Sequence, residues 1–571
     1  MADQRQARNN TGAQPGEAEL APTALASRAA KPAGAPKRVF IYDTTLRDGN
    51  QAQGITFTVQ DKIRIARLLD EWGVAFIEGG WPNKTAPRDR EFFERAREIE
   101  WKNARICAFG STRRAGTAVE DDENLRYLVE AGAPVVTLYG KTWTLHVTDV
   151  LRTSLDENLR MIEESVAYLR AQGIEVIYDA EHFFDGYYDD REYAIETLRA
   201  AVRGGASWLV LCDTNGGAMP HQVRETTEAV RAEFDVPVGI HCHNDTGLAV
   251  ASSIEAVLAG AEMVQGTING YGERCGNADL CTLIPNLELK LGIRCLPDGA
   301  LRRLVHVSRT VSEMANLPPD PRAPYVGTAA FAHKGGAHVN AVLKNPRTFE
   351  HVPPEVVGNE REILVSDYAG SSTVLYKLQR IWPDLDRKDP DVQRILMRLK
   401  ELEHQGYEFE AAEASFELLA RRLREGLRDF FELVGYRVIV DRRPDEEPYA
   451  EATIKVRVGE REVHTAADGT GPVHALDVAL RKAVGALYPK LRQIHLIDYK
   501  VRVLDATRGT ATNVRVLVTA TDGEETWTTV GLHDNIIEAS WQALVDSVIY
   551  GLMRNGAEPH EAADPEAEVV E

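Results

Sequence analysis

Two imidazoles one residue apart, in the run His241-Cys242-His243-Asn244-Asp245, are the strongest chemical signal in this chain. The apolar run VGI leads into them, so they stand at the end of a strand. Side chains alternate along a strand with period two, which sends both histidines one way and Cys242 the other. Asp48, in TTLRDGNQ, and Asn277, in GYGERCGN, offer a carboxylate and an amide oxygen. Together these four make a mixed nitrogen and oxygen set suited to a divalent Zn, Mn, Co or Mg ion. A His-x-His pair alone is more often a satisfied core feature; the acid at another strand end is what points to a metal. With two coordination positions left open, a 2-oxo acid could chelate through its carboxylate and keto oxygens, with the carbonyl polarised.

Three further residues belong with this set. Arg47 precedes Asp48, and a guanidinium at such a place needs an anion: a developing enolate or carbonyl oxygen, or a salt bridge to Glu78 or Glu181. Thr214, in CDTNG, either hydrogen-bonds a substrate carboxylate or caps the turn. Glu181, in DAEHFF, either positions substrate and supports proton transfer or pairs with a neighbour.

These residues lie far apart in sequence, so the elements must gather them. From Arg38 to about Ala300 one unit recurs: a short apolar run, a polar or glycine-rich end, then an amphipathic helix. The eight runs are VFIYDTTLRDG, FIEGG, ICAFGS, VVTLYG, VIYDAEHFF, LVLCDTNG, VGIHCHND and MVQGTINGYG. Thr58 and Asp61 form a capping box for TVQDKIRIARLLDEWG, with Ile65, Leu68, Leu69 and Trp72 on one face and Gly73 as the stop. Continuous apolar strands alternating with helices imply a parallel sheet covered on both faces. Eight units in roughly 260 residues is the size of a closed (β/α)8 TIM barrel, with a doubly wound open sheet as the alternative. In the barrel, strands seven, eight and one are consecutive and reacting groups cluster at strand C-termini, so Asp48, His241, His243 and Asn277 can meet.

Beyond the barrel, expected over 38–304, the pattern changes. Residues 305–431, with LPPDPRAP, FAHKGGAHVNAV and long helical stretches, read as a linker subdomain. Residues 432–556 read as an α+β module built twice. EATIKVRVGEREVHTAADG then GPVHALDVALRKAVGAL is matched by NVRVLVTATDGEETWTTVGLHDNIIEASWQALVDSVIYGL. That alignment sets Thr465 on Thr529, Ala475 on Ala539 and Leu480 on Leu544. Residues 1–37 are expected to be a disordered tail and 557–571, with six acidic side chains, a solvated one. The net charge of -21 argues against nucleic acid as a partner, and no run reaches the ~20 apolar residues of a membrane span. Six cysteines without a CxxC pair fit reduced thiols in a cytoplasmic protein.

TTLRDGNQ, HCHND and GxGERxGN, in that order, resemble the DRE-TIM metallolyase superfamily, in particular its 2-isopropylmalate, homocitrate and citramalate synthases. The resemblance covers nearly the whole chain, since DGTGPVHAL is similar to the amino-acid-sensing domain of those synthases. EGGWPNKTAPRDREFF, CDTNGG and HKGGAHVNAVLKNPRTFEHV are most similar to the citramalate synthase branch. This resemblance implies a Claisen condensation of acetyl-CoA with pyruvate, release of CoA, feedback by isoleucine or leucine, and a homodimer. By position it implies that Asp48, His241, His243 and Asn277 hold the metal, that Arg47 steadies oxygen charge, and that Glu181 and Thr214 line the 2-oxo acid site. It also implies that His338, from the linker subdomain of the same or a neighbouring subunit, assists deprotonation of the acetyl methyl. Phe349 stands where a tyrosine is common, and Tyr368 is a substitute for its hydroxyl. His333 and Lys334 are candidates for CoA phosphate contacts, with cap and surface roles favoured. A carbon–carbon lyase and a non-catalytic amino-acid sensor are the rival classes.

Overall fold

A computed structural model describes residues 35–364, 371–386, 388–442, 444, 447–504 and 512–559. Tyr368 and most of the two expected tails lie outside the described residues. The chain divides into two compact units, Met1–Phe331 with His351–Glu360, and Ala332–Glu350 with Arg361–Glu571.

The first unit is built on a closed eight-stranded parallel barrel. Its strands are β1 (Phe40–Asp43), β2 (Phe76–Gly80), β3 (Arg105–Ser111), β4 (Val135–Lys141), β5 (Glu175–Glu181), β6 (Trp208–Asp213), β7 (Val238–Cys242) and β8 (Met263–Gly266). All eight fall on the apolar runs of the sequence, and β1 pairs with β8 from Phe40↔Met263 to Asp43↔Gly266, which closes the ring. The open-sheet alternative is thereby excluded. Tyr42, Phe76, Cys107, Val135, Ile177, Val210, Cys212 and Met263 fill the barrel interior. The alternate residues pack outward against the helices, as a sheet buried on both faces requires.

Local chemistry sets the helix between β1 and β2, Val59–Trp72. The Asp61 amide donates to Thr58 Oγ1 at 3.2 Å and the Thr58 amide to Asp61 Oδ2 at 3.0 Å, completing the capping box. Ile65, Leu69 and Trp72 are fully buried, and Gly73 ends the helix at φ 100°. Other helices follow the amphipathic stretches: Glu123–Glu130, Leu155–Ala171, Arg191–Gly204 and Pro220–Glu233. All six cysteines are free and five are buried, Cys275 being exposed.

The second unit opens with a two-stranded parallel pair, β9 (Ala332–His333) and β10 (Glu362–Ile363). Helices Gly336–Lys344, Ser371–Ile381, Pro390–Gln405 and Glu413–Arg424 accompany it. Then come two antiparallel sheets of the same plan. One holds β11 (Glu432–Asp441), β12 (Tyr449–Val458) and β13 (Arg461–Gly469), followed by helix Pro472–Val484. The other holds β14 (His495–Val503), β15 (Val514–Thr521) and β16 (Thr526–His533), followed by helix Ile536–Arg554. The repeat extends to single bonds. Thr465 Oγ1 donates to the Ala479 carbonyl at 2.9 Å, and Thr529 Oγ1 to the Ala543 carbonyl at 2.6 Å. Both partners have advanced by the same interval, so each threonine ties its sheet to its helix in the same way.

Candidate functional site

The donors expected at the barrel mouth meet there. His241 is on β7, His243 one residue past it, and Asp48 in the turn after β1. His241 Nε2 lies 3.3 Å from His243 Nε2 and 3.7 Å from Asp48 Oδ2. Ligands bound to one ion by bonds of about 2.1 Å stand about 3.0–3.4 Å apart. The imidazole pair already meets that spacing; the carboxylate needs to close by a few tenths of an ångström. Among the described residues no group of three or more His, Cys, Asp or Glu side chains is placed to hold a metal ion. Asn277 forms a backbone bridge with His243, and its Oδ1 is buried without a hydrogen-bond partner, as is His243 Nδ1. The Asn277 loop turns at Gly276, φ 87°, where a Cβ would stand 2.0 Å from the Gly270 carbonyl oxygen. Only glycine lets GYGERCGN fold back this tightly.

Protonation favours a cation. Burial pushes the His243 imidazole down to about 3, with His241 beside it adding to the effect. Burial also lowers His241, against the pull of Asp48. At Asp48 burial alone would raise the carboxyl, but Arg47 and then His241 and His243 outweigh it and hold it below the usual range. At neutral pH the site therefore presents two neutral imidazoles and a carboxylate, the forms that bind metal.

The orientation of His241 is set from behind. Its Nδ1–H donates to Gln265 Oε1 at 2.9 Å, which leaves the Nε2 lone pair facing His243 and Asp48. Gln265 Nε2 in turn donates to Asp179 Oδ1 at 2.9 Å. Both partners are buried, and burial followed by the Glu78 charge pushes Asp179 well above the carboxylate range. Sequence reading passed over Gln265 and Asp179. The available signal was a polar residue inside each of the apolar runs VIYDAE and MVQG. Replacing Gln265 by leucine should weaken divalent-ion affinity about 10–100-fold, measured by chelator competition, with the circular dichroism spectrum unchanged.

Arg47 pairs with Asp48 and donates from Nε to Glu78 Oε1 at 2.5 Å. Glu78 also accepts from Thr44 Oγ1 at 2.7 Å and from the Tyr42 hydroxyl at 2.6 Å. Of the two salt bridges weighed from sequence, Glu78 is the partner; Glu181 pairs with Lys141 instead. The guanidinium carbon lies 3.7 Å from the centroid of Phe109, which stacks on Tyr139. Trp81 meets both rings edge-on. These three aromatics, with Arg47, Asp48, Asp179, Glu181, Thr214, His241 and His243, enclose a cavity of about 210 Å³. Phe109 and Tyr139 sit in strand runs, where aromatic residues read as core, so their place in the wall was not visible from sequence.

Thr214 bears on the same cavity, and its Oγ1 accepts the His182 amide at 2.9 Å. Having accepted there, the hydroxyl keeps its own proton to donate elsewhere. His338 lies in the second unit, exposed in the first turn of its helix and stacked on Phe349 with centroids 4.1 Å apart. His333 Nε2 meets Glu350 Oε1 at 3.1 Å in a buried pair, and Glu350 also takes Arg361. Lys334 pairs with Glu410. Both side chains are thus engaged within the second unit; His333 is a buried strand residue rather than the cap or surface group expected for it.

Comparison with known proteins gives the family to which a barrel with this mouth belongs. The family described as HMGL-like matches residues 38–311, the homocitrate synthase post-HMGL domain-like family 325–407, and the LeuA allosteric (dimerisation) domain 410–552. The chain is 52% identical over 524 residues to the (R)-citramalate synthase of Aquifex aeolicus (strain VF5), covering 91% of this chain and 99% of that one. It is 52% identical over 518 residues to the (R)-citramalate synthase of Geobacter sulfurreducens, covering 90% and 98%. A probable 2-isopropylmalate synthase of Methanopyrus kandleri is 33% identical over 522 residues. The chain belongs to the (R)-citramalate synthase family of DRE-TIM enzymes.

Proposed function

We propose that the chain condenses acetyl-CoA with pyruvate to give (R)-citramalate and free CoA. The observation that carries this reading is the juxtaposition of the Asp48, His241 and His243 donor set with a small aromatic-walled cavity under Arg47. A divalent ion held by Asp48, His241, His243 and Asn277 would supply Lewis-acid polarisation of the 2-oxo carbonyl. Thr214 donates its free hydroxyl proton to the substrate carboxylate. Glu181, already paired with Lys141, lines the 2-oxo acid site. The guanidinium of Arg47, clamped by Asp48 and Glu78 and stacked on Phe109, offers its remaining N–H groups to oxygen charge that develops in the transition state.

A methyl beside a thioester is weakly acidic, so a base is needed. We assign that role to His338 on the family resemblance of GGAHVNAV; its ring is exposed in the second unit. Phe349 supports the imidazole by stacking and takes no proton. The enolate carbon attacks the ketone carbon of pyruvate, and water then cleaves the thioester, releasing the thiol.

This reading takes Trp81, Phe109 and Tyr139 as the wall that limits the substituent of the 2-oxo acid to a methyl group. Release of CoA thiol by the purified, metal-analysed protein should therefore be fastest with pyruvate, with kcat/KM at least about 10-fold below it for 2-oxoisovalerate and 2-oxoglutarate. Equal or greater kcat/KM with 2-oxoisovalerate would move the assignment to 2-isopropylmalate synthesis. Cleavage of an acyl-CoA without a 2-oxo acid would mark a lyase.

The same reading takes 38–304 as the catalytic barrel, 305–431 as the linker and 432–556 as an amino-acid-sensing, dimer-forming module, in a cytoplasmic homodimer. The match to an allosteric (dimerisation) domain supports it. Isoleucine, the product family that citramalate serves, is the assigned effector, with leucine the alternative. Added isoleucine should lower thiol release severalfold, and rates that stay flat across both amino acids would remove this part of the reading.

A further inference from the structure

Lys62 is an unusual core residue: a lysine on helix Val59–Trp72 with only 2% of its side-chain surface exposed. A buried ammonium is tolerated only when its donors are met and its charge is paired. Lys62 Nζ donates to the Gly79 carbonyl at 3.0 Å and to Asp89 Oδ1. Asp89 then uses its other oxygen, Oδ2, to accept the Trp81 amide at 2.9 Å. One lysine and one aspartate therefore hold the backbone on both sides of Gly80, at the point where β2 ends and the cavity wall begins.

The two glycines make the clamp possible. A Cβ on Gly79 would stand 2.0 Å from Phe92 Cε1, and one on Gly80, φ 146°, would stand 2.5 Å from Asp89 Cγ. The pairing of β2 with β3 shifts register between Glu78 and Gly80, which turns the chain toward the helix Pro87–Ala96 that carries Asp89. From there the Trp81 indole Nε1 donates to Asn124 Oδ1 at 2.8 Å, and the ring meets Phe109 and Tyr139 edge-on at centroid distances of 5.9 and 5.6 Å.

We infer that Lys62 is a positioning residue for substrate selection: acting through Asp89, it fixes the depth of Trp81 in the wall of the 2-oxo acid cavity. Lys62 itself is absent from that wall. The inference rests on the reading that this cavity receives pyruvate. Its mechanism is steric. A wall held by ion pairing from behind cannot yield to a larger substituent, whereas a wall held by packing alone can.

The test is a double-mutant cycle between Lys62→Met and Trp81→Phe, read as the ratio of kcat/KM for pyruvate to that for 2-oxobutanoate. Lys62→Met should lower this ratio about 10-fold, the discrimination one methylene commonly supplies, while bound metal stays constant. In the Trp81→Phe background the same change should leave the ratio within about 2-fold, because the residue through which Lys62 acts has been altered. Lys62→Arg should restore part of the ratio. A fall in thermal stability and total rate with an unchanged ratio makes Lys62 merely structural and overturns the inference, as does an equal effect in both backgrounds. Where Lys62→Met does not accumulate folded, Asp89→Asn carries the same cycle. Failure of the unaltered protein to use pyruvate at all would instead refute the functional reading, so the two failures are distinct.

Discussion

Protein carrying His241→Ala should fold, retain roughly a tenth or less of the bound divalent ion, and release CoA from acetyl-CoA and pyruvate on the order of 10³–10⁴-fold more slowly. The size follows from what the residue does. It is central to the donor set, within 3.3 Å of His243 Nε2 and 3.7 Å of Asp48 Oδ2, and the two that remain cannot hold an ion with comparable affinity. Loss of the ion removes several kcal/mol of carbonyl polarisation. Folding should survive because alanine removes a buried ring whose neighbours, Gln265 and Asp179, still satisfy each other. Metal analysis and a thiol-release assay on the same preparation check both halves. Full activity with metal retained would mean that the ion, if bound, sits elsewhere.

Arg47→Gln should lower kcat about 10²–10³-fold with a smaller change in the KM for pyruvate, since its remaining donors act on charge that appears only in the transition state. A second consequence separates this residue from the histidines. Glu78 is fully buried, and Arg47 is its guanidinium partner. Removing one member of such a pair commonly costs about 3–5 kcal/mol, so a fall in unfolding midpoint should accompany the fall in rate. Arg47→Lys is the discriminating variant. It keeps the positive charge against Glu78 and recovers part of the stability. It loses the planar fork that meets Asp48 and Glu78 together, and the rate stays low. Paired measurements of denaturant midpoint and kcat read the two effects separately.

How much of this was legible depends on what kind of information each feature needs. The barrel strands were plain because a strand buried on both faces is a continuous apolar run, and the capping box at Thr58 and Asp61 is a local device written in adjacent residues. The same-side placement of His241 and His243 follows from strand geometry alone. Once eight strands close a ring, strand order brings Asp48 beside them. By contrast, the support of His241 by Gln265 and Asp179 depends on cross-strand register, His241 facing Gln265, which no single segment encodes. The pairing of Glu181 with Lys141 depends likewise on the register of β4 and β5. The first strand of each repeated sheet, ELVGYRVIVD and HLIDYKVRV, carried a weaker signal than the hairpin after it, because exposed edge positions relax the alternation. Nothing in the helical pattern marks Lys62; only tertiary structure turns its head group inward.

The closure of the barrel between β1 and β8 has a consequence for how the molecule comes into being. Asp48 is made early and Asn277 late, on opposite sides of that junction, with the two histidines arriving between them. A nascent chain therefore has no competent ion site until the eighth strand has left the ribosome and docked on the first. An ion held by the proposed ligands would bridge the oldest and youngest parts of the ring. It would act as a brake on the opening motion in which the terminal strands peel apart, so catalytic competence and resistance to unfolding would arrive in the same step.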